Sequence, residues 1–445
     1  MPTLRPYQEA AINAIRASLK SGNRRIMVYA PTGAGKTVLV SHILALANDK
    51  GNRGIVLVHR EELLDQAVEK LKAVGVDARI IKAGRQPDPS RPVQVASIQT
   101  LIRRNMPEVE IIIVDEAHRA LADSYQKIIK AAPNAIVLGW SGSPIRTDGR
   151  GLGATFQDMI IVATPKQLIE QGYLLNPRVL APSSPDLVGV HVTGGDFNLE
   201  ELGNAMKAPK LLGDICDHWT KHCHGRRTIL FASTVAHSMA LVESLRQVGC
   251  KAAHIDGKTP TEERREILNA LREGTIDLVS NVGIAQEGFD APDLEVMICA
   301  RPTLSLAMHL QMSGRIMRPV NCPHCHERLE TQVSTCPHCG CLLPRPMGKP
   351  GCLILDHAGN SHRWGLCSDD REWSLDDSMQ KKRGDKPECP IRVCRACFMV
   401  VPASCQVCPE CGAEFEVKKQ KPIKTAEGEL VELGWLFLRH GLQRS

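Results

Sequence analysis

Aromatic side chains are few in this chain of 445 residues, with 5 Trp, 4 Tyr and 7 Phe. A groove that grips single strands mainly by stacking bases on rings is therefore disfavoured. No stretch approaches the roughly 18 apolar residues that a membrane-crossing helix requires. The opening residues "MPTLRPYQEA" hold no apolar core of the kind a secretory leader needs. Strong charge is missing too: the formal net charge is +6. That value permits a nucleic-acid partner without requiring one, and such a partner would be held mainly through its phosphates. With 43% hydrophobic and 23% charged residues, broad disorder is excluded. The expectation is a cytoplasmic, soluble monomer of roughly two to four domains with no membrane partner.

What is present begins with an alternation. A helical segment covers residues 1–20. Short apolar runs then alternate with helical stretches: "RIMVYA" (25–30), "GIVLVH" (54–59), "VQVASI" (93–98), "EIIIVD" (110–115) and "AIVLGW" (135–140). Runs this apolar on both faces suit buried parallel strands. Residues 150–210 interrupt the pattern with scattered Gly and Pro. It resumes in "RTILFA" (227–232), "KAAHID" (251–256), "IDLVSN" (276–281), "LEVMICA" (294–300) and "GCLILDH" (351–357). This predicts an α/β protein of two doubly wound parallel-sheet domains. The expected boundaries are 1–165 for the first domain, 166–210 for a connection and 211–372 for the second. A cysteine-rich insert at 321–346 lies within the second domain. A basic linker (373–388), a second cysteine module (389–417) and a basic, then apolar tail (418–445) follow.

Only the first half carries a phosphate loop. "APTGAGKT" (30–37) follows an expected strand and opens an expected helix, the context such a loop needs. Pro31, Thr32, Gly33, Ala34 and Gly35 form its turn. Gly33 and Gly35 let backbone amides curl around the β- and γ-phosphates, Lys36 neutralises their charge, and the Thr37 hydroxyl can bind Mg²⁺. "IIIVDEAH" (111–118) ends a buried strand in two carboxylates. Asp115 is placed to hold Mg²⁺ through water, and Glu116 to polarise the attacking water. In the second half, "HLQMSGRIMRP" (309–319) sets Arg315 and Arg318 three apart, so they are expected on one helical face with Gln311 a turn earlier. Two arginines and a glutamine facing a cleft can complete a γ-phosphate site from outside.

This ordered set resembles the superfamily 2 helicases and translocases of the DEAH-box type, over roughly residues 1–372. "LRPYQ" (4–8), "APTGAGKT", "VLVHREELLDQ" (56–66), "ASIQTL" (96–101) and "DEAH" carry the resemblance in the first half. "TILFASTVAH" (228–237), "NVGIAQEGFDAP" (281–292) and "QMSGRIMRP" (311–319) carry it in the second. "GFDAPDLEVMICARPT", "GCLILDHAGN" and a trailing cysteine cluster make it most similar to the bacterial and phage RadD-like branch. The resemblance implies two RecA-like domains with ATP between them. It implies adenine reading by Arg5 and Gln8, and a cleft lined from the second domain by Gly288 and Asp290. It implies coupling of cleft to track by His118, Ser141 and Ser143, and backbone-phosphate contacts at Arg60, Thr100, Ser233 and Thr234. One departure is "SGSP" (141–144), where the family has Ser/Thr-Ala-Thr-Pro.

The 17 cysteines are poor disulfide candidates in a reducing compartment. Cys322-x₂-Cys325-x₁₀-Cys336-x₂-Cys339 and Cys394-x₂-Cys397-x₁₀-Cys408-x₂-Cys411 share one spacing. Two knuckles so separated are what a four-thiolate zinc ribbon needs, which predicts two Zn²⁺; iron is the alternative metal. Cys341, Cys389 and Cys405 are left over, although Cys405 could pair with Cys408. His324, His326 and His338 could substitute as ligands. The expected activity is nucleic-acid-dependent ATP hydrolysis that drives translocation or strand separation on DNA, in repair, recombination or phage replication. The ribbons offer a surface for a protein partner. The alternative is an ATPase clamp that binds nucleic acid through its ribbons and separates no strands.

Overall fold

The structure is a computed structural model. It describes residues 3–58, 62–73, 75–82, 91–120, 122–145, 151–182, 185–207, 209–283, 293–376 and 390–415. After the helix Pro6–Lys20, seven strands build the first sheet: β1 (Arg25–Tyr29), β2 (Gly54–Val58), β3 (Ala78–Ile81), β4 (Val93–Ser97), β5 (Ile111–Asp115), β6 (Ile136–Ser141) and β7 (Asp158–Ile161). Their order is β3-β4-β2-β5-β6-β1-β7, and every pairing is parallel. Strands β2 and β4 are buried along their whole length, as continuous apolar runs between helical layers should be.

The next strand, β8 (Pro177–Leu180), crosses to the second sheet. A short hairpin follows, β9 (Val192–Thr193) with β10 (Asp196–Phe197), and then β11 (Thr228–Ala232), β12 (Ala252–Ile255), β13 (Leu278–Asn281) and β14 (Val296–Ala300). The insert holds an antiparallel pair, β15 (Val333–Thr335) and β16 (Leu342–Met347), before β17 (Cys352–Asp356) rejoins the sheet. The order is β12-β13-β11-β14-β17-β8, again all parallel. The trailing cysteine module contains β18 (Ile391–Val393) and β19 (Val400–Pro402).

Two expected boundaries are corrected. The stretch 166–210 is not merely a connection, because Pro177–Leu180 is an edge strand of the second sheet. Its leading proline lacks an N–H to donate, and a sheet edge tolerates that. Nor does the linker begin at 373. The Trp373 ring sits 5.2 Å from that of Tyr29, and the Leu375 carbonyl accepts a 2.8 Å bond from the Gly153 amide. Residues 366–376 thus run from the second half back onto the first, and the Asp370 carboxylate also accepts from the Lys166 amide. The remainder of the expected linker, 377–388, lies outside the described residues, as does the tail.

Candidate active site

Strand order places the chemistry. Strand β6 lies between β1 and β5, and all three run the same way. The phosphate loop after β1, Ser141–Ser143 at the end of β6 and Asp115–Glu116 at the end of β5 therefore meet along one edge of the sheet. Ligands of open parallel sheets bind at such an edge. A cavity of about 580 Å³ opens there. Thr32, Gly33, Lys36, Thr37, Asp115 and Glu116 line it from the first half, and Gln311, Arg315 and Arg318 from the second.

Gly35 caps the helix Lys36–Asn48 with φ 81°, where a Cβ would fall 2.3 Å from Gln8 Nε2. Glycine suits that left-handed turn, and it leaves the first amides of the helix facing the cavity. Lys36 Nζ lies 2.6 Å from Asp115 Oδ1 and 3.5 Å from Glu116 Oε1. Burial alone would lower the Lys36 pKa, but the two carboxylates outweigh it and hold the ammonium above its ordinary range. Burial likewise works to raise the Glu116 carboxyl. The Lys36 charge and the His118 hydrogen bond prevail and keep it well below the usual carboxylate range. Glu116 also sits at φ 51°, which is uncommon for a residue with a Cβ. An ammonium between two carboxylates occupies a cation position. With the Thr37 hydroxyl lining the same cavity, the donor set fits a hydrated Mg²⁺.

The second half reaches this chemistry directly. Gln311 Nε2 donates to Glu116 Oε2 at 3.3 Å. A Cβ on Gly314 would fall 2.6 Å from Thr32 Cβ, so the helix Leu306–Gly314 meets the phosphate loop only because residue 314 has none. The shared helical face expected for the arginines is corrected. The helix ends at Gly314, Arg315 is its C-cap, and Arg318 lies beyond it. Pro319 disfavours helical backbone at the residue before it. Both arginines nevertheless line the cavity.

The residues expected to couple cleft and track form a chain of contacts. His118 Nδ1 lies 3.4 Å from Glu116 Oε2 and 3.3 Å from Ser141 Oγ. Ser141 Oγ donates to the Ser143 carbonyl at 2.8 Å and accepts from its amide at 3.1 Å. At Gly142 a Cβ would meet nothing closer than 3.6 Å, so the alanine of the family pattern would fit. Arg5 and Gln8, expected to read adenine, lie beside the phosphate loop. The Gln8 amide accepts from the Arg5 N–H at 3.0 Å and donates to the Ala34 carbonyl at 3.0 Å. The Arg5 guanidinium lies over the Tyr173 ring at 4.1 Å and donates to the Tyr7 hydroxyl at 3.1 Å. With the Tyr7 hydroxyl, which donates to the Ala34 carbonyl at 3.1 Å, Gln8 braces the first helix against the phosphate loop. Tyr7, Tyr173 and Leu174 were not singled out in the sequence. Leu174 packs where a Gly33 Cβ would be, 2.5 Å away, and "GYLLNP" (172–177) carries no motif that announces it.

The expected track residues separate. The Thr100 hydroxyl is buried and accepts from Ser97 Oγ at 3.0 Å. Ser233 is buried and donates to the Ala300 carbonyl at 3.1 Å. Thr234 caps the helix Val235–Gln247 by accepting from the His237 amide. These three hydroxyls are engaged within the protein. Arg60, Gly288 and Asp290 lie outside the described residues.

The cysteine modules share a backbone plan. The residue after each second knuckle cysteine is left-handed: His326 (φ 62°), Gly340 (68°), Phe398 (61°) and Gly412 (72°). Its amide returns to the carbonyl of the first cysteine in all four, Cys322, Cys336, Cys394 and Cys408. In the trailing module the thiols of Cys394, Cys397, Cys408 and Cys411 lie within 4.8 Å of one another, and Cys405 stays apart from that set. In the insert the set is Cys322, Cys336, Cys339 and Cys341, with Cys325 at 3.7 Å from Cys336. Cys341 is thus not a leftover, as the spacing alone suggested. Two residues beyond the knuckle, its thiol lies 3.1 Å from that of Cys339 and 3.6 Å from that of Cys322. Thiol proximity favours Cys341 and knuckle geometry favours Cys325. Backbone geometry repeated four times is the stronger guide, because thiols rotate freely until a metal fixes them. Both donor sets are chemically those of a structural zinc site.

Comparison with known proteins agrees with this architecture. Residues 1–146 match the family described as the type III restriction enzyme res subunit, and residues 208–320 match the helicase conserved C-terminal domain. A 51.5 kDa protein of a Lactococcus phage (isolate 7-9) is 31% identical over 91% of this chain and 82% of its own length. A Saccharomyces cerevisiae protein described as an ATP-dependent helicase, IRC3, is 31% identical over 73% of this chain, which spans 51% of that protein. Among solved structures, a fragment of an HsdR subunit of a type I restriction enzyme from Vibrio vulnificus YJ016 shares the fold. Its TM-score is 0.60 at 20% identity, over 82% of this chain and 65% of the other. The chain belongs to the superfamily 2 helicases, enzymes that couple ATP hydrolysis to nucleic acid. No helix among the described residues is long and apolar enough to cross a membrane.

Proposed function

We propose that this chain is an ATP-driven translocase of the RadD-like branch that acts on DNA. The observation that carries it is the Gln311–Glu116 contact. A residue of the second half touches the proposed catalytic base of the first, so ATP bound between them would link the halves. Lys36 would hold the β- and γ-phosphates, and Asp115 with Thr37 would hold Mg²⁺, which supplies charge neutralisation when bound. Glu116 would orient the attacking water and accept its proton. Arg315 and Arg318 would stabilise charge on the γ-phosphoryl oxygens from the opposite side. Loss of that charge on hydrolysis releases the arginines, and the two halves separate by a step. The restriction subunits among the similar proteins favour DNA as the track.

The test is ATP turnover with single-stranded, duplex and branched DNA and RNA. DNA should accelerate hydrolysis at least about tenfold more than RNA, and turnover indifferent to both would remove the translocase assignment. A strand-displacement assay with the same DNAs separates a helicase from a clamp.

Each ribbon would hold one Zn²⁺, at Cys322, Cys325, Cys336 and Cys339 and at Cys394, Cys397, Cys408 and Cys411. The insert buries little beyond Cys322, Leu329, Cys336 and Leu343, so metal ligation would supply much of its folding energy. Elemental analysis should give two zinc ions per chain. Cys325→Ser should reduce that to about one, and Cys341→Ser should leave it at two. The reverse result would make Cys341 the fourth ligand.

A further inference from the structure

Lys349 is the one lysine among the largest fully buried side chains, with 0% exposure. It stands just after β16, where the cysteine-rich insert closes and the chain prepares to re-enter the sheet. A buried ammonium is strongly unfavourable unless hydrogen bonds replace its water. Here Lys349 Nζ donates to the Ile316 carbonyl and, at 3.1 Å, to the Arg318 carbonyl. The carbonyl between them, on Met317, accepts from the Leu175 amide at 2.7 Å. All three carbonyls of Ile316–Arg318 are therefore held, two by one side chain of the insert and one by the chain that enters β8. In non-helical chain successive carbonyls tend to point to opposite sides, so those of residues 316 and 318 can share one. One ammonium can bridge residues 316 and 318 only while that stretch keeps both carbonyls turned to the same side.

The insert's own fold fixes the lysine. The Lys349 amide donates to the Leu329 carbonyl at 2.8 Å, and the Leu329 amide donates to the Val320 carbonyl at 2.8 Å. Arg345 pairs with the buried Asp293 and so ties β16 to the body of the second domain. The charged and titratable groups facing Lys349 are Cys352, Glu295, Arg318 and Asp293. Glu295 is itself engaged by Arg226 at 3.5 Å. The nearby acids thus have arginine partners, and the Lys349 ammonium donates to the carbonyls beside the arginine motif.

We propose that Lys349 is a positioning residue for ATP hydrolysis: it locks the backbone of Ile316–Arg318 so that the Arg318 guanidinium enters the cleft at a fixed height. This makes correct seating of the insert a condition of fast turnover, with no contact between the insert and the nucleotide. The proposal rests on Arg318 acting at the γ-phosphate. A displacement of about 1 Å in a charged group can lower turnover by about 10²-fold, so a backbone clamp is enough to matter.

The experiment compares Lys349→Met, Arg318→Ala and the double variant in the full-length chain. It measures kcat for ATP with saturating DNA, equilibrium binding of a fluorescent ATP analogue, and zinc content. Lys349→Met should lower kcat by about 10- to 100-fold with nucleotide affinity within about threefold and two zinc ions retained. In the Arg318→Ala background the same substitution should change kcat by less than about threefold, because a residue that acts through Arg318 has nothing left to position. An unchanged kcat in Lys349→Met, or an equal loss with and without Arg318, overturns the proposal. If Arg318→Ala alone leaves kcat intact, the assignment of Arg318 itself falls, a distinguishable result. Should Lys349→Met melt below the assay temperature, Lys349→Gln, which keeps donors near that depth, serves in the same comparison.

Discussion

Alanine at Arg318 should slow ATP turnover about 10³-fold or more while ATP affinity changes only a few-fold. The expectation follows from where the side chain stands. Its Cγ lies 3.6 Å from the point a Gly33 Cβ would occupy, against the phosphate loop but on the opposite half of the molecule. A guanidinium there gains most when charge builds on the transferring phosphoryl group, because that charge is smaller in the ground state. Arg318→Lys should recover little, since a single ammonium lacks the planar fork that meets two oxygens at once. Steady-state kinetics with saturating DNA, paired with equilibrium binding of a fluorescent ATP analogue, separates the outcomes. Equal losses in affinity and rate would make Arg318 a ground-state ligand, and no loss would return it to a solvated turn.

Glu116→Gln should lower turnover by about 10²–10⁴-fold and leave ATP binding nearly intact. Glutamine keeps the size of the side chain and can still meet Gln311 and His118, so the substitution isolates the carboxylate. Before nucleotide arrives, Lys36 and His118 hold Glu116 ionised despite its burial. Were Lys36 to turn to bound phosphates, that hold would weaken and burial would push the carboxyl upward, toward better proton acceptance. Lys36→Ala should differ in kind, because it removes a phosphate ligand and weakens ATP binding itself. Near-normal hydrolysis by Glu116→Gln in single-turnover assays would show that another group activates water.

Much of this site is legible in the chain because phosphate chemistry restricts it locally. Gly33, Gly35, Lys36 and Thr37 act within one loop, and Asp115 and Glu116 within one strand end, so contiguous residues reveal them. The buried strands are equally plain, because a strand covered on both faces must be apolar throughout. Where the structure departs from expectation, the deciding contacts are distant in sequence. Strand β3 has four residues and β7 is only partly buried, so neither stands out as an apolar run. Strand β8 is recognisable only by its pairing with Cys352–Leu355. Arg5 and Gln8 are motif residues, yet Tyr173 and Ala34 decide what they touch.

The cysteine modules divide along the same line. Identical spacing and the glycines after Cys339 and Cys411 mark the knuckles, since a tight left-handed turn is a local requirement. That Cys341 also approaches Cys322, at 3.6 Å, depends on how the two knuckles fold together, which spacing does not encode. The sequence by itself determined the class of chemistry: a phosphate loop, a carboxylate pair, an arginine motif and two sets of four thiols. The tertiary structure alone decided how they are joined. It put β6 between the strand that ends in the phosphate loop and the strand that ends in the carboxylate pair, carried Gln311 to Glu116, and buried Lys349 beneath the arginine segment. Those juxtapositions span from 25 to 195 residues of chain. They arise from sheet order and helix packing, where the free energy of burying apolar surface chooses partners that no local pattern records.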